Sequence, residues 1–298
     1  MIIRNTIISC LACCFSVSLA MAVSTNKKTT DVGTVNVAGL TARQVVESNI
    51  KARGGLAAWH RIHSMSMAGK LDAGKERQDG GTIGLLNSPT THAELKAELR
   101  NAKFKNDEPL SGKIIRLPFQ MELKRPLKSR IEVQFQGDTA VQVFDGSQGW
   151  KLRPFLGRHE VEPYTQTEAK FASQQQELDG PLVDYAAKGT RVALEGMEQV
   201  NGSNTYKLKL TLKSGEVRHL WIDAKTFLDT KIDGAPRSFD GKLRTVATYF
   251  HDYRTVDGVK IPYVLETSVE GVGGSEQISI EHVVINPNLE NSRFTKPM

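Results

Sequence analysis

Apolar and polar residues alternate with a period of two over most of the chain, the signature of strands with one dry and one wet face. Phe119, Met121 and Leu123 alternate with Gln120, Glu122 and Lys124, and Ile131, Val133 and Phe135 alternate with Arg130, Glu132 and Gln134. The pattern returns at Tyr206, Leu208, Leu210 and Leu212, and again at Ile278, Ile280, His282 and Val284. Between these runs lie turn signals such as Gln136-Gly137-Asp138, Asp145-Gly146, Asn201-Gly202, Ser214-Gly215 and Asp257-Gly258. Their spacing, near ten residues, leaves no room for crossover helices, so the strands run antiparallel. The pattern predicts a mainly β (α+β) protein: one curved antiparallel sheet of about ten strands, since an open sheet of that length curls. Phe119, Met121, Leu123, Ile131, Val133, Phe135, Leu208, Leu210, Ile278 and Ile280 all fall on its concave face.

Outside residues 74–113, helical signals appear in three places. Thr41 and Gln44 make a capping box, Val45, Val46 and Ile50 share a face, and Gly54-Gly55 supplies the stop, with a further helical turn at 56–59. Thr165 and Glu168 make a second box for a helix that includes Phe171. Gly180-Pro181 then starts a third helix, carrying Leu182, Val183 and Tyr185 and closed by Gly189. Residues 74–113 break the β pattern with a Gly-rich, charged stretch and a weakly amphipathic helix over 90–104, and read as an insertion. Residues 23–38 are small and polar and read as a flexible leader.

The first 22 residues have the parts of a secretory signal: Arg4, an apolar stretch, and Ala20-Met21-Ala22 as a cleavage site. Export to the periplasm with cleavage after Ala22 is the expectation; lipid attachment at Cys13 or Cys14 is the competing reading. All three cysteines lie in that segment, so cleavage leaves no disulfide, thiolate nucleophile or Cys-ligated metal.

The 39 basic and 33 acidic residues give +6, and loss of Arg4 with the signal leaves +5. Basic and acidic residues interleave, as on a solvated face, so nucleic acid is not expected as a partner, while transient contact with an anionic membrane surface is compatible with this charge. No nucleophile elbow, phosphate loop, dinucleotide fingerprint or zinc-protease motif occurs. His219, His251 and His282 sit in three predicted strands and could bind zinc only if they converged; strand histidines with ordinary partners are favoured. Trp59, Trp150 and Trp221 read as packing residues rather than ligand-stacking ones. The apolar tip at 154–157 could touch a membrane or a partner, although folding back over the barrel mouth is favoured. No catalysis, cofactor or metal is expected, and the chain is expected to be monomeric.

Four segments carry a resemblance: Ala52-Arg53-Gly54-Gly55-Leu56-Ala57-Ala58-Trp59, Asp145-Gly146-Ser147-Gln148-Gly149-Trp150, Asp179-Gly180-Pro181-Leu182-Val183-Asp184-Tyr185, and Tyr206-Lys207-Leu208 with Trp221-Ile222-Asp223. Together the chain resembles the bacterial outer-membrane lipoprotein-sorting proteins, the LolA/LolB-like superfamily, over residues 39–298. The resemblance implies an incomplete β-barrel with a helical lid over an apolar cavity for acyl chains. In this reading the ten concave residues line the cavity, and Val45, Val46, Ile50, Phe171, Leu182, Val183 and Tyr185 belong to the lid. The function implied is a periplasmic, non-catalytic carrier of lipid or lipidated protein. The alternative is an envelope sensor or assembly factor that binds a protein partner on the same fold.

Overall fold

The structure, a computed structural model, describes residues 39–76, 82–83, 114–154, 158–175, 178–239, 242–272 and 274–298. The signal peptide and leader expected over 1–38, the helix expected over 90–104 and residues 155–157 of the apolar tip lie outside the described residues.

Helix α1 (Ala42–Ala52) begins on the Thr41/Gln44 capping box, with both reciprocal bonds made, and α2 (Leu56–His60) follows the Gly54-Gly55 stop. Gly54 is fixed by sterics as well as by its φ of +116°. A Cβ there would collide with the backbone carbonyl of Gly258, where the helical corner packs on the sheet.

Among the described residues fourteen strands form one antiparallel sheet, against the ten or so expected. They are β1 (Ser64–Glu76), β2 (Thr82–Ile83), β3 (Ile114–Lys124), β4 (Lys128–Phe135), β5 (Asp138–Phe144), β6 (Gly149–Arg153) and β7 (Arg158–Pro163). After helix α3 (Gln166–Gln175) come β8 (Arg191–Val200), β9 (Ser203–Thr211), β10 (Val217–Asp223), β11 (Asp229–Phe239), β12 (Lys242–Val256), β13 (Val259–Val269) and β14 (Ser275–Ile285). The shortfall came from the long hairpins and from the segment read as an insertion. Its first residues extend β1, and β2 pairs back onto that extension.

The spatial order, β7-β6-β5-β4-β3-β1-β14-β13-β12-β11-β10-β9-β8, explains the role of the helical interruption. The chain walks outward from β1 to β7, must then reach the opposite edge to start β8, and walks back until β14 pairs with β1. Among the described residues β7 and β8 do not pair, so the barrel is open there, and the connection between them lays Val183 and Leu182 on the inner face, one in each apolar cluster.

Two sequence expectations need correction here. First, His282 and Val284 do not share a face with Ile278 and Ile280. A bulge opposite Ala68/Gly69 inserts Glu281 unpaired, which reverses the parity of the strand end; Val283 and Ile285 turn inward and Val284 is exposed. Gly69 allows the close approach, because a Cβ there would strike the Ser279 carbonyl. Second, residues 181–189 form successive turns rather than a helix. Asp184 at φ +53°, between Gly180 and Gly189, both also at positive φ, breaks the α geometry while the segment runs from one half of the core to the other.

The outer face has its own cover. The C-terminal residues 286–298, which include a 3₁₀ turn (Asn291–Phe294), put Leu289 and Phe294 onto Val141 and Val143, with Trp150 and Leu152 packed alongside.

Candidate functional site

The inner face is built by register. Leu208 pairs with Leu220 and Leu194, and Leu220 with Ile232. Further along, Leu265 pairs with Ile278, Ile278 with Leu71, and Leu71 with Leu117, while Phe119 pairs with Val133 and Val133 with Ala140. All ten residues expected on the concave face share it. Phe119, Ile131, Val133 and Ile280 are buried in one cluster, with Met121, Phe135 and Ile278 packed partly buried against it. Leu123 is half-buried between Met65 and Ser129 in register. Leu208 and Leu210 are fully buried in a second cluster under α1.

Of the residues expected in a lid, all but Phe171 are seen packed on this face. Val45, Val46 and Leu182 belong to the second cluster, with Tyr185 packed against it; Val183 belongs to the first; Ile50 touches both. Phe171 lies on α3, with its side chain outside what the structure describes. Two apolar pools thus meet beneath one seam formed by α1 and residues 178–185.

Polar contacts fasten that cover, and these were invisible as a group in the sequence. Arg53, at the end of α1, lies 4.6 Å from the centre of the Trp59 ring, and its Nη1 donates to the Asp179 carbonyl at 3.1 Å. The Trp59 indole N–H donates to the Arg53 carbonyl. Buried Asp179 accepts from Arg125 Nη2 at 2.7 Å through one oxygen and from Lys188 Nζ at 2.9 Å through the other. Across the face, Asn49 Nδ2 donates to Asp229 Oδ1 at 2.9 Å and to the Phe227 carbonyl at 2.8 Å. Lys151 on β6 holds Glu168 of α3 at 2.5 Å, and Thr165 and Glu168 complete the expected capping box. The motif residues Arg53, Trp59, Asp179 and Gly180 are therefore one structural unit: a Cβ on Gly180 would press on Arg53 Nη1.

These carboxyls respond to burial in opposite ways. For Asp179, burial alone would raise the pKa, but hydrogen bonds from Lys188 and Arg125 outweigh it and hold the group below its usual 3.8. Glu168 is likewise held below 4.5 by Lys151 and Thr165 against the effect of burial. Asp229 goes the other way: burial raises it, and Arg53 and Asn49 only partly oppose this. A carboxyl with a lowered folded pKa adds stability that is present above its unfolded value and lost as pH falls through the folded one. Melting temperature is therefore expected to fall as pH drops below about 4, and in Asp179→Asn that decline should be shallower. The variant should start lower at pH 7, by about 1–3 kcal/mol, because the charged acceptor is gone. Thermal melts from pH 7 to pH 2.5 check this. Asp229 contributes with the opposite sign, so acidification relieves its buried charge.

The histidines do not converge. His219 Nδ1 lies 2.7 Å from Asp233 and Nε2 3.3 Å from Glu195; His251 faces Glu266; His282 is exposed. Among the described residues, no three His, Cys, Asp or Glu side chains are grouped to hold a metal. Trp221 packs on the outer face between Lys207 and Lys231, its N–H on Glu198. The inner face also has polar positions that sequence reasoning missed: Thr248 and Thr267 share a hydroxyl hydrogen bond at 3.1 Å, and buried Glu276 pairs with Thr267 in register. Their strands show alternation too weak to assign a face.

These features define an open antiparallel half-barrel whose apolar inner face is roofed by a helix and a crossing segment. That fold recurs in known structures. A LolA superfamily protein from Nitrosomonas europaea superposes with a TM-score of 0.51 at 12% identity, covering 86% of this chain and 98% of that one. A DUF1329 family protein from Desulfovibrio piger gives 0.50 at 12% identity, covering 85% and 97%. No protein-family model matches the sequence, and no curated relative does.

Proposed function

We propose that the protein is a non-catalytic carrier or binder of lipid or lipidated protein, exported to the periplasm, in which acyl chains occupy the inner face once its cover lifts. One observation carries the reading: α1 and residues 178–185 roof the apolar face without being strands of the sheet, tied to it by side-chain contacts and, just past α1, by the Lys260 N–H bond to the Arg53 carbonyl, so opening them would leave the strand ladder itself in place. The roof is fastened by polar contacts at its ends and by aliphatic contacts beneath, which an acyl chain could replace. Burying one methylene is worth about 0.8 kcal/mol, so a sixteen-carbon chain offers on the order of 12 kcal/mol to set against opening. The sequence resemblance to the LolA/LolB-like superfamily and the fold shared with a LolA superfamily protein support the same reading. In it, the ten inner-face residues line the site, the roof residues form the lid, and residues 39–298 make up the carrier domain.

The test is native mass spectrometry of the protein purified from its own envelope, together with titration by a fluorescent fatty acid. Co-purifying lipid, or saturable binding at about one molecule per chain, is the expected result. A protein that binds no acyl chain and instead holds a stable protein partner would replace the carrier with the sensor or assembly factor.

A further inference from the structure

A cleft of about 280 Å³ opens where the β3–β4 turn meets the crossing segment. Its walls include Lys124, Arg125, Leu127, Leu178, Asp179 and Lys188. Leu178 also packs against the first inner-face cluster, so this wall of the cleft borders the apolar face under the roof. Two cations, Arg125 and Lys188, hold the single carboxylate of Asp179, one on each oxygen.

The Arg125 guanidinium is only partly used. Arg125 donates Nε to the Ile62 carbonyl and Nη2 to the Trp59 carbonyl and Asp179, which is three of the five N–H groups a guanidinium carries; its Nη1 has no hydrogen-bond partner among the described residues. Lys188 adds a bond to the Gly180 carbonyl, and Lys124 bonds the Leu289 carbonyl and Asn291. Asp179 thus acts as a buried post that fixes two cations in place. An oxyanion that reaches Arg125 meets a positioned, planar donor, the geometry that suits phosphate.

Building on the carrier reading, we infer that this cleft recognises a phosphate-class oxyanion, the head of an amphiphile whose acyl chain passes Leu178 onto the inner face. The apolar walls and the cationic side then serve the two halves of one molecule. Inorganic phosphate shares the head's chemistry without the chain, and the two sources separate by experiment.

The experiment titrates the full mature protein with mono-oleoyl phosphatidic acid, with mono-oleoylglycerol, which has the same chain and no phosphate, and with inorganic phosphate. Wild type is expected to prefer the phosphorylated lipid at least tenfold, a factor that one charge-assisted contact can supply. Leu127→Glu, which puts a negative charge on the cleft wall, and Lys188→Gln should each bring the ratio of the two lipid affinities close to one. Melting curves report whether Lys188→Gln, which touches buried Asp179, still folds; Leu127→Glu at the turn carries the test if it does not. If inorganic phosphate binds as tightly as the lipid and both variants lose it, the oxyanion site stands and free phosphate is its source. If wild type binds both lipids equally and no phosphate, the cleft inference is overturned and the carrier reading remains. If it binds none of the three, both fail.

Discussion

Ending the chain at Pro287 is expected to abolish a cooperative thermal transition. The deleted residues include Leu289 and the fully buried Phe294, which cover Val141, Val143, Trp150 and Leu152 on the outer face of β5 and β6. They also include Arg293, whose Nε donates to Glu122 Oε2 at 2.7 Å. Glu122 is 4% exposed, so without Arg293 a buried carboxylate loses its ion partner while a patch of large apolar side chains is uncovered beside it. Phe294→Ala alone should cost about 3–5 kcal/mol, the usual range for emptying a buried aromatic site. The truncation adds the loss of Leu289 and of the ion pair, reaching the scale of a whole domain's stability, about 5–15 kcal/mol. Far-UV circular dichroism on heating, with a dye that reports exposed apolar surface, measures this. A truncated protein that melts within a few degrees of the full chain would show that the tail is ornamental.

Leu208→Glu is expected to leave the protein unfolded at 25 °C, whereas Leu210→Glu should remain folded with a smaller loss. Both leucines are fully buried, so the amino-acid change is the same and only the register differs. Leu208 stands between Leu194 and Leu220 under α1, where a new carboxylate has no cation directly across from it in register and costs several kcal/mol or takes up a proton. Leu210 pairs directly with Arg218, a buried guanidinium that already holds Glu216 at 2.7 Å and has donors to spare. Urea midpoints of the two variants decide the matter. Equal destabilisation would mean that Arg218 does not reach across the strand pair.

Local chemistry fixed part of this molecule in advance. Thr41 with Gln44 and Thr165 with Glu168 set two helix starts because a capping box needs only three residues of separation. Strict alternation over 119–123, 131–135 and 206–210 placed those apolar residues on one face, because a strand's side chains have no choice beyond parity. Parity failed where a single residue slipped: the unpaired Glu281 turned His282 and Val284 outward, and a bulge leaves no mark in composition. The supposed third helix failed because the Pro181 start was local, whereas Asp184 and Gly189 had to steer the chain between two clusters.

The roof's fastenings show the same division. Arg53, Trp59, Asp179 and Gly180 stood out in the sequence as resemblance, with no hint that they touch, since 126 residues separate Arg53 from Asp179. Alternation and turn spacing by themselves determined an antiparallel sheet with one apolar face, because hydrogen-bonding geometry and side-chain parity are set residue by residue. Only the tertiary structure decided that β14 closes onto β1, that the crossing segment must span an unpaired gap from β7 to β8, and that the C-terminal tail seals the outer face. Those outcomes depend on which distant surfaces bury each other, and the free energy of that burial belongs to pairs of segments rather than to either one alone.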